Sequence, residues 1–321
     1  MKNTKVLACV LSAAMIAGVF TGCTGAKVTN ISTEDFEKAC EKTLKFDEYE
    51  IDDLYDMDED SIKEGIYITI DQEDIEEYGL DSYIDMYLEG LELDDIFEAE
   101  DIESAAFAGK MTGMDDIYDV EDPDDLEDLE IEGGYALQLT LADDDKAADI
   151  MEYIADMLDQ LDIDVKKDLS KKEFYSGKTD GYLRCHIEID KAVKSLLEND
   201  DFQDALDEND DGDEIQEALE ALTGDAVISV EVSGANILIV VAFNLNTEPE
   251  TLQDFTKAFG ITTDLTKLPH NGKVVDAVSD AVSEYIEKAR EAAEQVRRHN
   301  EEVQAVDDEI NAILNGDDWD D

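Results

Sequence analysis

The stretch AVISVEVSGANILIVVAFNL, residues 226–245, decides how this chain folds. Its first run, AVISVEV, is strand-like, SGA supplies a turn, and NILIVVAFNL is apolar at nearly every position. A strand with one wet face alternates apolar and polar residues with period two, whereas a strand covered on both faces reads as a continuous apolar run. The stretch therefore reads as a hairpin whose second strand lies centrally in a sheet, with layers on both sides.

Working outward, KEFYSGKTDGYLRCHIEI (172–189) holds two strand-like runs around Asp180 and Gly181, a second hairpin signal. In YALQLTLA (135–142), Tyr135, Leu137, Leu139 and Leu141 share one face. The acidic run Asp143, Asp144 and Asp145 then stands where a helix N-terminus favours negative charge. The helix it opens carries Ala147, Ile150, Met151, Ile154, Leu158 and Leu161 on one stripe. Residues 190–223 read as helical, and Thr247 with Glu250, with Pro249 in the first turn, starts a helix to about Phe259. From 133 the order is βαββα, a helical insert, then ββα; without the insert its first six elements match a split-βαβ, ferredoxin-like order.

Nearer the N-terminus, Ser32 and Asp35 open an amphipathic helix with Phe36, Ala39, Cys40 and Leu44 on one face. Ile66, Ile68 and Ile70 alternate through GIYITID (65–71). Residues 72–97 read mostly as helix with breaks near Gly79 and Gly90, and ESAAFAGKMTG (103–113) as a further strand. The acidic run around Pro123 is the best linker candidate. The expected class is α+β, with antiparallel sheet units and packed helices. The expected organisation is a leader over 1–22, a stalk over 23–30, an α+β unit over 31–114 and a linker over 115–132. A second α+β unit over 133–268, a long helix over 269–314 and an acidic tail over 315–321 complete it.

The C-terminal helix differs in kind. A three-four spacing runs Val275, Val278, Val282, Tyr285, Ala289, Ala292, Val296, His299, Val303, Val306, Ile310 and Ile313. A sustained seam of this sort implies a helical partner, with self-association into a homodimer as the favoured use and fold-back onto the chain's own sheet as the competing one.

The leader decides location. Lys2 and Lys5 precede VLACVLSAAMIAGVF, an apolar run placed and sized as a secretory signal. Thr21 and Gly22 then stand directly before Cys23. This junction resembles the lipobox of bacterial lipoproteins, departing from it in carrying Phe20 where Leu is usual. The resemblance implies a diacylglycerol thioether on Cys23, cleavage before it, an acylated mature N-terminus and attachment at the extracytoplasmic face of the cell membrane. TGAKVTN, residues 24–30, reads as a flexible stalk.

Asp and Glu number 87 against 24 Lys and Arg, a net charge of −63, while 43% of residues are hydrophobic. A core is thus available and the acidity belongs to the surface. Such a field repels nucleic acid and anionic lipid and favours divalent cations or a basic protein surface as partners. Cys9 leaves with the leader and Cys23 carries lipid, so Cys40 and Cys185 are the one pair left; both point inward and read as buried thiols rather than a disulfide framework.

One motif carries candidate ligand chemistry. In DENDDGDEI (207–215), Asp207, Asn209, Asp211 and Asp213 alternate around Gly212, with Glu217 beyond. The run resembles an EF-hand calcium loop, which implies calcium held by Asp207, Asn209, Asp211, Asp213 and Glu217. It departs from the pattern at the twelfth position, where Ala218 replaces the bidentate Glu. SGKT (176–179) lacks the upstream glycine and the strand-loop-helix context of a phosphate loop. Cys185 and His186 are adjacent, so they face opposite sides of a strand and form no nucleophile-base pair. The reading is of a lipid-anchored surface protein that binds or assembles without catalysis and needs no cofactor. A calcium-dependent surface module is the alternative, and a lipid-anchored hydrolase comes third.

Overall fold

The computed structural model describes residues 32–55, 59–90, 96–113, 125, 129–161, 163–171, 173–207, 212–248, 250–259, 270 and 272–276. The fold is α+β and is organised on one eight-stranded sheet. Its strands are β1 (Asp47–Glu48), β2 (Ile66–Asp71), β3 (Ile102–Thr112), β4 (Ile131–Leu141), β5 (Phe174–Ser176), β6 (Asp180–Glu188), β7 (Gly224–Ser233) and β8 (Asn236–Leu245). The order is β1-β2-β3-β4-β8-β7-β6-β5, and every pairing is antiparallel except β1 with β2. The helices are α1 (Thr33–Lys38), α2 (Glu59–Glu64), α3 (Gln72–Tyr78), α4 (Asp81–Gly90), α5 (Asp144–Gln160), α6 (Ile189–Leu197), α7 (Asp200–Asp207), α8 (Gly212–Ala221) and α9 (Glu250–Ala258).

The hairpin read over residues 226–245 is β7 and β8. They run from Gly224 opposite Leu245 to Ser233 opposite Asn236, with Gly234 at φ 58 in the two-residue connection. A positive φ is where glycine carries no steric penalty. As its apolar run implies, β8 is interior, with β4 on one side and β7 on the other. Ile237, Val241 and Leu245 are buried on one face of β8, and Leu238, Val240 and Ala242 on the other.

Each face has its own cover. On the first, Ile150, Met151, Ile154 and Leu158 of α5 and Ile75 of α3 join Leu141, Leu183, Cys185, Ile228, Val230, Ile237 and Val241. Leu161, expected on the same stripe, falls past the end of α5 and is exposed. On the second face, Phe36, Ala39 and Cys40 join Leu252, Phe255 and Phe259 over Ala106, Ala136, Leu238 and Val240. The rings of Phe36 and Phe259 stack at a centroid distance of 4.8 Å, tying the first described helix to α9. Ser32 caps α1 as expected, its hydroxyl accepting from the Asp35 N–H at 3.3 Å. The helix then widens into a π-turn over Ala39–Leu44 and stops at Lys45, φ 61. A third cluster joins α6, α7 and α8 through Leu196, Phe202, Leu206, Ile215 and Leu219 to Ile131 and Leu245 at the strand ends.

The ferredoxin-like order does not carry into topology. A split βαβ sets its third strand between the first two and antiparallel to both, which would place β6 beside β4; instead β4 pairs with β8, and β8 and β7 lie between β4 and β6. The two expected units share one sheet, because β3 and β4 pair from Ile102 opposite Leu141 to Thr112 opposite Glu132. Gly113 closes that junction: its φ is 78, and a Cβ there would lie 2.0 Å from the Glu130 carbonyl oxygen. Most of the expected linker, the leader with Cys23, the stalk and the heptad segment past 276 lie outside the described residues.

The start of the C-terminal segment is described. Residues 272–276 are helical, Val274 and Val275 are 1% and 2% exposed within the first-face core, and Ser195 of α6 hydrogen-bonds Asp276 at 2.9 Å. Val275, the first seam residue, is thus buried in this chain's own core. Replacing Val274 and Val275 together by Ala should cost about 2–4 kcal/mol, through lost burial and the cavity left behind. Urea unfolding of the double variant checks this, and an unchanged midpoint would mean the two valines are not core residues.

Candidate site: the polar row beneath the second face

Both faces of β6 are buried, and the second carries polar groups. Tyr182, Arg184 and His186 lie on it from β6, with Asp225, Ser229 and Glu231 from β7. Arg184 is fully buried and Glu231 is 1% exposed. The guanidinium donates through Nε and Nη2 to Glu231 Oε1, at 3.0 and 2.6 Å. Its carbon sits 4.5 Å from the Tyr182 ring centroid, a cation-π contact, and Ser229 Oγ donates to the same carboxylate oxygen at 3.4 Å. Burial raises the Tyr182 phenol and the Arg184 cation opposes that rise. A buried pair of this kind is bought with desolvation, so its value lies in fixing which strand meets which rather than in net stability.

At the lower end of β6, His186 Nε2 meets Asp225 Oδ1 at 2.5 Å. His270 comes in from the C-terminal segment and accepts the Glu188 N–H at Nδ1, 3.4 Å away. Burial and the neighbouring Lys191 cation hold the His270 ring below its ordinary value, with the Glu188 carboxylate opposing them. Glu188 itself is lowered by its 2.5 Å contact with Lys191. A histidine oriented by a carboxylate is half of a general-base arrangement. The other half is not supplied by Cys185, which lies in the first-face core, on the opposite side of β6 from His186, as adjacent strand residues must.

The cysteines are settled by the same geometry. Cys40 and Cys185 form no disulfide and are buried, in cores on opposite faces of the sheet. Burial pushes the Cys40 thiol up to about 12, which makes it inert rather than nucleophilic.

The calcium-loop residues fall between α7 and α8. Asp207 ends α7, while Asp213 and Glu217 lie on α8, and all three are exposed; Asn209 and Asp211 lie outside the described residues. Helix α8 already begins at Gly212, so the connection is 208–211, and Ala218 at the twelfth position is 2% exposed in the third core. Among the described residues no three His, Cys, Asp or Glu side chains converge as a metal cluster.

Sequence reasoning missed the Arg184–Glu231 pair. A faint signal existed, because Arg184 is one of four arginines and the other three are Arg290, Arg297 and Arg298. A lone Arg within a strand, and a lone Glu within AVISVEV, both ask for a partner. No protein-family model matches this chain, and no curated protein or solved structure shows significant similarity to it. Removing one member should be far worse than removing both. Glu231→Ala should cost about 3–5 kcal/mol by stranding the guanidinium, and Arg184→Met with Glu231→Leu should recover most of it. Denaturant melts of the single and double variants provide the comparison.

Proposed function

We propose that the chain is a lipid-anchored extracytoplasmic protein that works by binding or assembly at a bacterial cell surface, without catalysis. The observation that carries this reading is the junction of a charged, apolar leader with Cys23, placed a short polar stretch before Ser32, where the first described helix is capped. Two acyl chains give stable attachment where one is marginal. The non-catalytic side draws support from the polar groups of the second face. Arg184 is engaged by Glu231 and His186 by Asp225, so their polarity is spent within the fold. A chain with 63 more acids than bases selects cations or a basic protein face as what it meets.

In cells, Cys23→Ala should abolish incorporation of labelled fatty acid and shift the protein from the detergent phase to the aqueous phase. Labelling and partitioning that match the wild type would defeat the anchor.

Self-association through the seam beyond Val275 belongs to the same reading. The Val278, Val282 and Val296 positions continue the spacing and suit a two-stranded partner. Sedimentation of the full chain in detergent should show a dimer that becomes a monomer when residues 277–321 are removed. A monomer in both cases would assign the seam to the chain's own fold.

A further inference from the structure

Three strands bring Asp225, Asn244 and Glu132 into one row. Asn244 of β8 lies opposite Asp225 of β7 on one side and opposite Glu132 of β4 on the other. Residues directly opposite each other in a sheet point to the same face with Cβ atoms about 5 Å apart, so two carboxylates flank one amide. Asn244 is 2% exposed, and its Oδ1 has no hydrogen-bond partner among the described residues. The amide is held the right way round, because Nδ2 donates to the Thr247 carbonyl at 2.6 Å, and flipping it would press two oxygens together. The buried acceptor is therefore an oxygen left over, which a folded protein leaves only where something else supplies the partner.

A second buried oxygen stands beside it. Thr247 was expected to cap α9 through its hydroxyl. Instead the Glu250 N–H bonds the Glu248 carbonyl at 2.9 Å, the Thr251 N–H reaches Glu132 Oε2 at 3.4 Å, and Thr247 Oγ1 is buried with no partner among the described residues. The carboxylates are half engaged in the same way. Asp225 Oδ1 is taken by His186 and Glu132 Oε2 by Thr251, and the second oxygen of each accepts no hydrogen bond from a described residue. The row thus offers one amide oxygen, one hydroxyl oxygen and two carboxylates.

We infer that the row of Asp225, Asn244 and Glu132, with Thr247 at its edge, binds a hard divalent cation, and that the cation is calcium. Oxygen-only donors with two carboxylate charges and flexible geometry suit calcium, whereas magnesium demands near-octahedral ligands and keeps its waters. The absence of sulfur and free imidazole from the row disfavours zinc and copper. The row also explains why the α9 cap is displaced: the helix N-terminus is satisfied by Glu132, which leaves the Thr247 hydroxyl for the ligand set. Located on β4, β7 and β8, the site is separate from the 207–217 loop and independent of the lipid anchor.

Calcium titration of the full chain in detergent, after chelator treatment, tests this. Diffuse binding to the acidic surface is screened by about 0.3 M potassium chloride, while a coordinated ion is not. One salt-resistant equivalent should remain, with a raised melting temperature. Glu132→Gln should weaken that equivalent at least about tenfold by removing a ligand charge. Asn244→Leu should abolish it, and Asn244→Asp should retain it while melting lower than the wild type without calcium. Replacing Asp207 and Asp211 by Asn should leave it intact. The inference fails if no salt-resistant equivalent appears, as expected for a site holding only water. It fails equally if Asn244→Asp gains no calcium-dependent stabilisation, or if sodium alone gives the same stabilisation.

Discussion

The pairing of β4 with β8 is the contact on which the rest of the structure depends. It joins the strands β1 to β4 to the strands β5 to β8, from Ile131 opposite Leu245 to Thr140 opposite Asn236. On either side of that seam the chain is built from neighbours in sequence: β2 meets β3 and β3 meets β4 in one direction, while β8, β7, β6 and β5 meet in turn in the other. Local pairings close small loops and are entropically cheap. The β4–β8 pairing spans about a hundred residues and must be rewarded by burial on both faces. That reward is visible in the two cores, which meet across Leu238, Val240, Ile237 and Val241 on alternating positions of β8.

Central placement has a consequence for polar groups. A strand covered on both sides cannot send a charged side chain to water, so each polar residue on β6, β7 or β8 must find a partner inside the fold. Arg184 and Glu231 find each other, and His186 finds Asp225. These partners sit on adjacent strands, so a slip of β6 against β7 by one residue would strand a guanidinium in the core. The acidic surface sharpens the point, since a chain of this charge repels itself when compact and relies on its core to hold it together. Its few buried charges are neutralised in place.

The lower edge of the sheet is where helices and the C-terminal segment converge on the strand ends. Helices α6 and α8 close the strand ends, α9 begins over Glu132, and residues 270–276 dock beside Glu188 and Ser195. This edge gathers side chains from β4, β6, β7 and β8 together with the first turn of α9. It is also where buried polar oxygens remain without partners among the described residues.

What the residues determine alone follows from period and local chemistry. The alternation of β2 and β6, the unbroken apolar run of β8, the stripe of α5, the Ser32 cap and the glycine stop at Gly79, φ 64, all act within a few residues of themselves and were legible without coordinates. The opposed directions of Cys185 and His186 were legible for the same reason. Topology was not, because element order leaves open which strands become neighbours, and the ferredoxin-like order dissolved once β8 turned back from β7 onto β4. The polar row shared this fate: Glu132, Asp225 and Asn244 are unremarkable acids and an amide until two long-range registers set them side by side. Thr247 reads as a helix cap in sequence, and only the carboxylate of Glu132, brought from another strand, took that role from it. Local propensity is a property of a segment, whereas a site assembled from three strands exists only after the chain has paid the entropy of bringing them together.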